Sequence, residues 1–515
     1  MVFLLTFLAL GVTASKKPPN IIFMLVDDLG WDDVSFHGSP QIPTPNMDVL
    51  AGDGVILNNY YVQQLCTPSR AALMTGLYPI HNGLQDFVLQ VAQPNGLPLD
   101  LKVMPQFFKD ISYETHMIGK WHLGYFRKEY TPTYRGFDSF YGYYTGEEDY
   151  YNHTFTSNNR TGFDFWLNTE PLFNETGTYS THLFTERAKF LIKSRNAAKP
   201  FFLYLAYQSV HGPLEAPQEN IMKFPYIGEE NRTIFAGILD ALDQSVGEVL
   251  ETLYEADMLD ITIIVLSTDN GGLPFGDNSN RGYNFPLRGA KGTLWEGGTR
   301  GSAFIWSPLL NQNRRVSDQM LHITDWLPTL YSAAGKRGNP VNLGKLDGYD
   351  MWTQLSYNLP SSRYEVLYNI DPTDLNSALR YTNYKLVLGT YEGGEFDQRF
   401  RTTGGSRPYG DLEIAMAQSK ASRVLKGFYN RGNFLLPRNW RQKATVSCVN
   451  NGPKNFVSQA PPYLFNLDKD PCELNNIASA EAGVSFPISY LSILHSCNHH
   501  SSGCQPLTTP MGPRC

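Results

Sequence analysis

Six short stretches of this 515-residue chain bring together side-chain types suited to handling an anion. Asp27, Asp28, Asp269 and Asn270 offer three carboxylates and an amide. Such hard oxygen donors select Ca2+ or Mg2+, whereas a catalytic zinc site draws on His or Cys. A divalent cation there would neutralise the crowded carboxylates and attract an anionic substrate. Arg70, Lys120, His122, His211 and Lys291 add a cationic ring suited to a tetrahedral oxyanion. Cys66 opens Cys66-Thr67-Pro68-Ser69-Arg70, in which Thr67 suits a helix N-cap, Pro68 the first helical position and Gly76 the helix end. A helix starting there points free N–H groups at whatever Cys66 carries and favours negative charge on it. On these residues alone a buried, inert thiol is an equal reading of Cys66.

These side chains need elements that converge. Residues 20–26 (NIIFMLV), 201–207 (FFLYLAY) and 261–267 (ITIIVLS) read as strands buried on both faces. Asp27-Asp28 follows the first, His211 lies four residues beyond the second, and Asp269-Asn270 ends the third. Lys120-Trp121-His122 follows a shorter run at 115–118. Ligands of open α/β sheets bind at the carboxyl ends of the strands, so four placements of this kind predict one site. Each placement taken alone has a structural explanation, since paired Asp residues cap helices and single His residues are satisfied in cores. Between the last two strands, Phe235, Ile238, Leu239, Leu242, Val246, Val249, Leu250 and Leu253 recur at helical spacing, a core-packing stripe over 234–254.

Composition bounds the rest. A 42% hydrophobic chain with net charge −7 and no long basic block is a globular protein and not a nucleic-acid binder. Residues 1–15 (MVFLLTFLALGVTAS) read as a secretory signal peptide, and no later stretch stays apolar for the ~18 residues a membrane span needs. Sequons begin at Asn152, Asn159, Asn174 and Asn231, in keeping with a secreted or lysosomal destination. After about residue 355 the texture changes: Gly and Arg crowd 393–410, and strand-like 384–388 precedes 463–467. Five of six cysteines (Cys448, Cys472, Cys497, Cys504 and Cys515) fall in the last 68 residues, and only Cys66 precedes them. The expectation is a large domain over 16–355 and a smaller one over 356–515 with an antiparallel sheet stapled by disulfides, of open connectivity.

Cys66-Thr67-Pro68-Ser69-Arg70, with Leu73, Thr75 and Gly76 behind it, resembles the Cys-x-Pro-Ser-Arg signature of type I sulfatases. Gly119-Lys120-Trp121-His122-Leu123-Gly124 resembles their second signature. LVDDLGWDDVSFHGS, QSVHGPL, STDNGG and PLRGAKGTLWEGGTRG extend the likeness in order over residues 18–350, nearest to the arylsulfatase B branch (N-acetylgalactosamine-4-sulfatase) and its animal paralogues. The likeness thins afterwards and returns at LFNLDKDPCELNNIA (464–478).

This resemblance implies an alkaline-phosphatase-like fold, a large mixed β-sheet flanked by helices with a small C-terminal antiparallel sheet. It implies that Cys66 is oxidised in the endoplasmic reticulum, by the formylglycine-generating enzyme, to formylglycine. It further implies that Asp27, Asp28, Asp269 and Asn270 hold Ca2+ together with that residue. Arg70 and Lys120 would steady the hydrated aldehyde, His122 would hydrogen-bond it, and His211 and Lys291 would contact the sulfate. The substrate implied is a sulfated glycan of glycosaminoglycan type, with small aryl or plant sulfate esters as the alternative. A phosphatase would want a Ser or Thr nucleophile and His-rich zinc ligation, and an inactive binding protein would be expected to lose site residues. Family disulfides in the large domain are not expected here, because Cys66 is its only cysteine. The Tyr-dense stretch 140–155 (FYGYYTGEEDYYNHTF) reads equally as a lip stacking on a ring or as a glycosylated surface loop.

Overall fold

The structure is a computed structural model that describes residues 17–481, apart from 158, 277–278, 336–342, 431–435, 438 and 449–453. The leader reading of 1–15 and Cys497, Cys504 and Cys515 lie outside the described residues.

Apolar runs with no polar face form strands in the middle of a sheet, where both faces are covered. The large sheet contains β1 (Asn20–Val26), β2 (Val55–Leu57), β3 (Glu114–Lys120), β4 (Ser139–Tyr143) and β5 (Trp166–Leu167). It continues with β6 (Glu170–Pro171), β7 (Phe201–Ala206), β8 (Thr262–Thr268), β9 (Ala303–Trp306) and β10 (Arg315–Ser317). Their order is β10-β2-β9-β8-β1-β7-β3-β4-β5-β6, so the three runs singled out in sequence are adjacent at the centre. The central five, β8-β1-β7-β3-β4, are parallel, while β9 and β5 join them antiparallel. The expected large mixed sheet is therefore present.

Side chains of β1 alternate between two apolar layers: Ile22, Met24 and Val26 enter one, and Ile21, Phe23 and Leu25 the other. Helices cover both faces: α1 (Pro45–Asp53), α2 (Cys66–Thr75), α3 (Ser180–Ser194), α4 (Glu230–Glu255) and α5 (Trp326–Ala333). The stripe read at 234–254 is the buried face of α4. Each aliphatic side chain it buries stabilises the layer by about 1.5–3 kcal/mol. The second layer holds Ala71, Ala72, Leu73 and Met74 of α2, which fixes that helix against the sheet.

Beyond residue 355, β11 (Glu365–Asp371), β12 (Asn376–Tyr381), β13 (Tyr384–Leu388) and β14 (Tyr463–Asn466) form a separate four-stranded antiparallel sheet. The two strands read at 384–388 and 463–467 pair directly with each other. A disulfide joins Cys448 to Cys472. The helices α6 (Tyr409–Gln418), α7 (Lys420–Phe428) and α8 (Trp440–Ala444) do not stay with the small sheet. Met416, Val424, Leu425 and Trp440 are part of the first layer of the large sheet. Lys385 on β13 ties the small sheet inward, with Nζ 3.0 Å from Glu296 Oε1 and 2.8 Å from Glu473 Oε1, all three side chains wholly buried.

Candidate active site

Parallel pairing brings the polar residues together. Val26 on β1 lies opposite Thr268 on β8, so Asp27-Asp28 and Asp269-Asn270 leave the sheet side by side. Lys120 is the last residue of β3, two strands along, with His122 just beyond it. His211 follows β7, which lies between β1 and β3. Asp28 takes a left-handed backbone conformation (φ 58°) and its N–H donates 3.1 Å to Asp269 Oδ1. Lys291 comes from the loop after β8 and reaches back with Nζ 2.7 Å from Asp28 Oδ2.

Cys66 sits in the first turn of α2, so the helix begins earlier than Thr67 and Pro68 suggest; Leu65 occupies the N-cap without a side-chain bond. Thr67 is not a cap: its hydroxyl donates 3.2 Å to the His122 carbonyl and accepts from Leu89 N–H, tying α2 to two loops. Gly76 ends the helix as read, at φ 68°. The Cys66 Sγ lies 3.4 Å from Asp27 Oδ1 and 3.8 Å from Asp28 Oδ1.

Around it, Arg70 donates through Nε at 3.1 Å and Nη2 at 2.8 Å to Asp269 Oδ2, and Nη2 lies 3.2 Å from Asp27 Oδ1. Lys120 Nζ is 2.6 Å from Asp27 Oδ2. His211 Nε2 lies 3.3 Å from Lys291 Nζ and 3.6 Å from Asp28 Oδ2. His122 Nε2 lies 3.0 Å from the Leu89 carbonyl, and its buried Nδ1 has no partner. A carbonyl only accepts, so Nε2 carries the proton and Nδ1 presents a lone pair. All ten residues singled out in sequence meet here.

Electrostatics sort these groups. Burial would raise the Asp27 carboxyl, but Lys120 and Arg70 outweigh it and hold the group well below its ordinary value. Burial pushes the Cys66 thiol well above its ordinary value, and the neighbouring cations do not reverse this. The position is therefore a poor home for a thiolate, the nucleophilic form of cysteine. Burial, then the charges of Lys120 and Arg70, push His122 well below its ordinary value and keep the imidazole neutral. Burial would lower Lys291, yet Asp28 raises it above its ordinary value.

The donor set fits a hard cation. Ligand atoms of Asp27, Asp28, Cys66 and Asp269 all lie within 4.8 Å of one another. Asn270 donates through Nδ2 to Asp28 Oδ1 at 2.7 Å, and its buried Oδ1 has no hydrogen-bond partner. A buried amide oxygen beside three carboxylates is an arrangement that a divalent ion satisfies.

The site opens into a cleft of about 880 Å3 whose floor includes Cys66, His122, His211 and Lys291. Sequence reasoning missed several supports. Ser69 accepts the Gln63 N–H at 2.8 Å and donates to the Asp269 carbonyl, holding α2 against the end of β8. Glu147 Oε2 lies 3.6 Å from His211 Nδ1. Gly146 touches the His122 ring, where a Cβ would stand 2.7 Å from Cε1. The Tyr-dense stretch divides: Tyr141, Tyr143, Tyr144 and Tyr150 are buried core, Glu147 and Phe155 line the cleft as the lip reading expects, and Asn152 is exposed.

Residues 19–336 match the sulfatase family. Mouse (Mus musculus) arylsulfatase J is 42% identical over 418 residues, covering 77% of this chain and 69% of the relative. N-acetylgalactosamine-6-sulfatase of Canis lupus familiaris is 31% identical, covering 68% of each. Among solved structures, Ps i-CgsB in complex with k-i-k-neocarrahexaose superposes with TM-score 0.72 at 27% identity, covering 94% of both chains. The large mixed sheet with its separate four-stranded sheet is the alkaline-phosphatase-like arrangement of such enzymes. With the family match and the two signatures meeting in one buried site, this chain belongs to the sulfatase family and is a sulfatase enzyme.

Proposed function

We propose that this sulfatase releases sulfate from a sulfated sugar of glycosaminoglycan type, using formylglycine made from Cys66 and one Ca2+ per chain. The observation that carries the reading is the setting of Cys66. It lies 2% exposed against two carboxylates, and burial pushes its thiol above the ordinary value, which supports the reading that a different group does the chemistry at this position. Asp27, Asp28, Asp269, Asn270 and residue 66 would hold the ion. When present, the hydrated aldehyde supplies one hydroxyl for attack on sulfur and a second whose loss of a proton releases sulfate, while Ca2+ polarises the sulfate oxygens.

The chain's own residues divide the remaining work. Lys120 and Arg70 keep Asp27 ionised beside residue 66. His122, neutral and fixed by Leu89, offers Nδ1 as the acceptor for a proton leaving position 66. Lys291 and His211 face the cleft and bind sulfate oxygens. Asp28 holds Lys291 more basic than usual and so charged against the sulfate, and either Lys291 or His211 passes a proton to the departing alcohol. Small aryl or plant sulfate esters are a second reading, favoured by Phe87, which lines the cleft with 47% of its surface exposed.

A secretory route with lysosomal or extracellular delivery fits the exposed positions of Asn152, Asn159 and Asn174. Turnover of a sulfated N-acetylgalactosamine disaccharide by wild type and Cys66→Ser tests the chemistry. The variant is expected to accumulate folded and release no sulfate, and retained release would place the nucleophile elsewhere.

A further inference from the structure

The mouth of the cleft has a charge opposite to its floor. Its floor carries His122, His211 and Lys291, and no Arg or further Lys occurs among the described lining residues. The mouth carries three carboxylates, Glu147, Glu392 and Glu395. Glu392 and Glu395 are exposed, and Glu147 is partly so.

Each side of the mouth sets carboxylates beside aromatic rings. On one side Glu147 stands with Phe155 from the hairpin of strands Thr154–Ser157 and Arg160–Phe163. On the other, a tight turn places Glu392 and Glu395 between Tyr391 and Phe396, with Gly394 N–H donating 2.9 Å to the Tyr391 carbonyl and Glu395 N–H 3.2 Å to that of Glu392. This turn is fastened to the large domain. Phe396 stacks on Phe275 at 5.0 Å between ring centres, and the Tyr391 ring lies so close over Gly292 that a Cβ there would stand 2.5 Å away. Gly292 adjoins Lys291, so the acidic turn begins one ring's width from the sulfate-binding floor.

The field of the turn is reinforced from behind. Burial raises Asp374, and the charges of Asp86 and Glu392 raise it further, which puts three carboxylates in one another's field next to Phe87 and Tyr391. The basic groups Arg399, Arg401 and Lys454 line a different cavity of about 600 Å3 that shares no lining residue with the cleft.

Aromatic faces stack on the apolar faces of sugar rings, and carboxylates accept hydrogen bonds from hydroxyls but repel other anions. We propose that Glu147, Glu392 and Glu395, set beside Phe155, Tyr391 and Phe396, are specificity-determining residues that admit a sulfate ester whose alcohol portion is an uncharged, hydroxyl-bearing sugar and reject one that carries a second anion. The inference rests on the sulfated-sugar reading and narrows it, among glycosaminoglycan-type sugars, from ends with a neighbouring uronic acid to ends whose neighbour is a neutral hexose.

The test compares kcat/KM of the full chain on two monosulfated disaccharides that differ only in the second sugar, a neutral hexose or a hexuronic acid. An aryl sulfate serves as a third substrate. The neutral disaccharide is expected to be favoured about tenfold, the effect of a few carboxylates at screened separations. Raising the salt concentration is expected to shrink the preference. In Glu392→Gln/Glu395→Gln the uronate substrate is expected to gain through a lower KM, and Glu147→Gln added to the pair to bring the two substrates closer still. Equal or better turnover of the uronate by wild type, or an unchanged ratio in the variants, overturns the inference while leaving the sulfatase chemistry standing. Failure to hydrolyse all three substrates overturns both.

Discussion

Two of the buried charge clusters among the described residues are built to opposite ends. Around Lys385, each carboxylate oxygen has a hydrogen bond or an ion pair within the fold, Glu473 Oε1 through the ion pair alone. Glu296 Oε1 faces Lys385 at 3.0 Å and Oε2 accepts from Tyr61 at 2.9 Å. Glu473 Oε1 faces Lys385 at 2.8 Å and Oε2 accepts the Glu296 N–H at 2.9 Å. Around Cys66, three carboxylates and three cations also interlock, yet Asn270 Oδ1 and His122 Nδ1 are left without hydrogen-bond partners and the floor opens to a cleft. Most buried polar groups are satisfied within the fold, and two unpartnered ones beside an open cleft suit a ligand from outside the chain. The closed cluster joins the small sheet to the large one, while the open cluster has the unfilled donors that the proposed ion and anion would complete.

If this division is right, removing a charge costs rate in one place and stability in the other. The largest effect is expected from Lys120→Met. Loss of the cation that holds Asp27 ionised should lower kcat/KM by about 10³-fold or more, read with an aryl sulfate. A loss under tenfold would mean that Lys120 serves the fold and not the reaction. Next comes Lys385→Met, which leaves Glu296 and Glu473 buried against each other and should destabilise the protein by about 3–5 kcal/mol. The urea midpoint measures this, and turnover per folded molecule should stay near wild type. A fall in turnover without a shift of the midpoint would break the comparison.

The smallest effect concerns pH. Burial and then the charge of Glu296 raise Glu473 from an ordinary 4.5 to about 7, against the pull of Lys385. A carboxyl raised by folding gives stability that is complete below about pH 4.5 and is lost as pH rises through about 7. Glu473→Gln mimics the protonated form. Wild type should therefore lose stability relative to the variant between these limits, seen as diverging melting temperatures. Parallel curves would show that Glu473 does not take up a proton on folding.

The two regions also differed in what the chain's order of residues reveals. The centre of the large sheet was readable because β1, β7 and β8 are buried on both faces and so have no polar positions to blur the pattern. The candidate-site residues were readable because most follow such strands directly, and parallel register then brings strand ends together. Lys291 is different: it lies in a loop with no strand end to mark it, and only its surrounding motif pointed to it. The cluster of Glu296, Lys385 and Glu473 left no trace, because its members come from three distant segments and each is an ordinary charged residue in its own neighbourhood. The packing of α6–α8 onto the first layer was hidden for a related reason, since α6 buries only Leu412 and Met416 and the other two helices are short. Residues 140–155 were legible only in part, because aromatic density suits a core, where four of their tyrosines lie, as well as a lip, where Phe155 lies.

The central claim is that residue 66 acts as an aldehyde hydrate and not as a thiol. Mass spectrometry of the peptide containing position 66, from protein made in a native secretory pathway, tests it most directly. The account predicts a peptide in which sulfur and two hydrogens have been exchanged for one oxygen, alongside any unconverted remainder. Finding only unmodified cysteine in material that hydrolyses sulfate esters would contradict it.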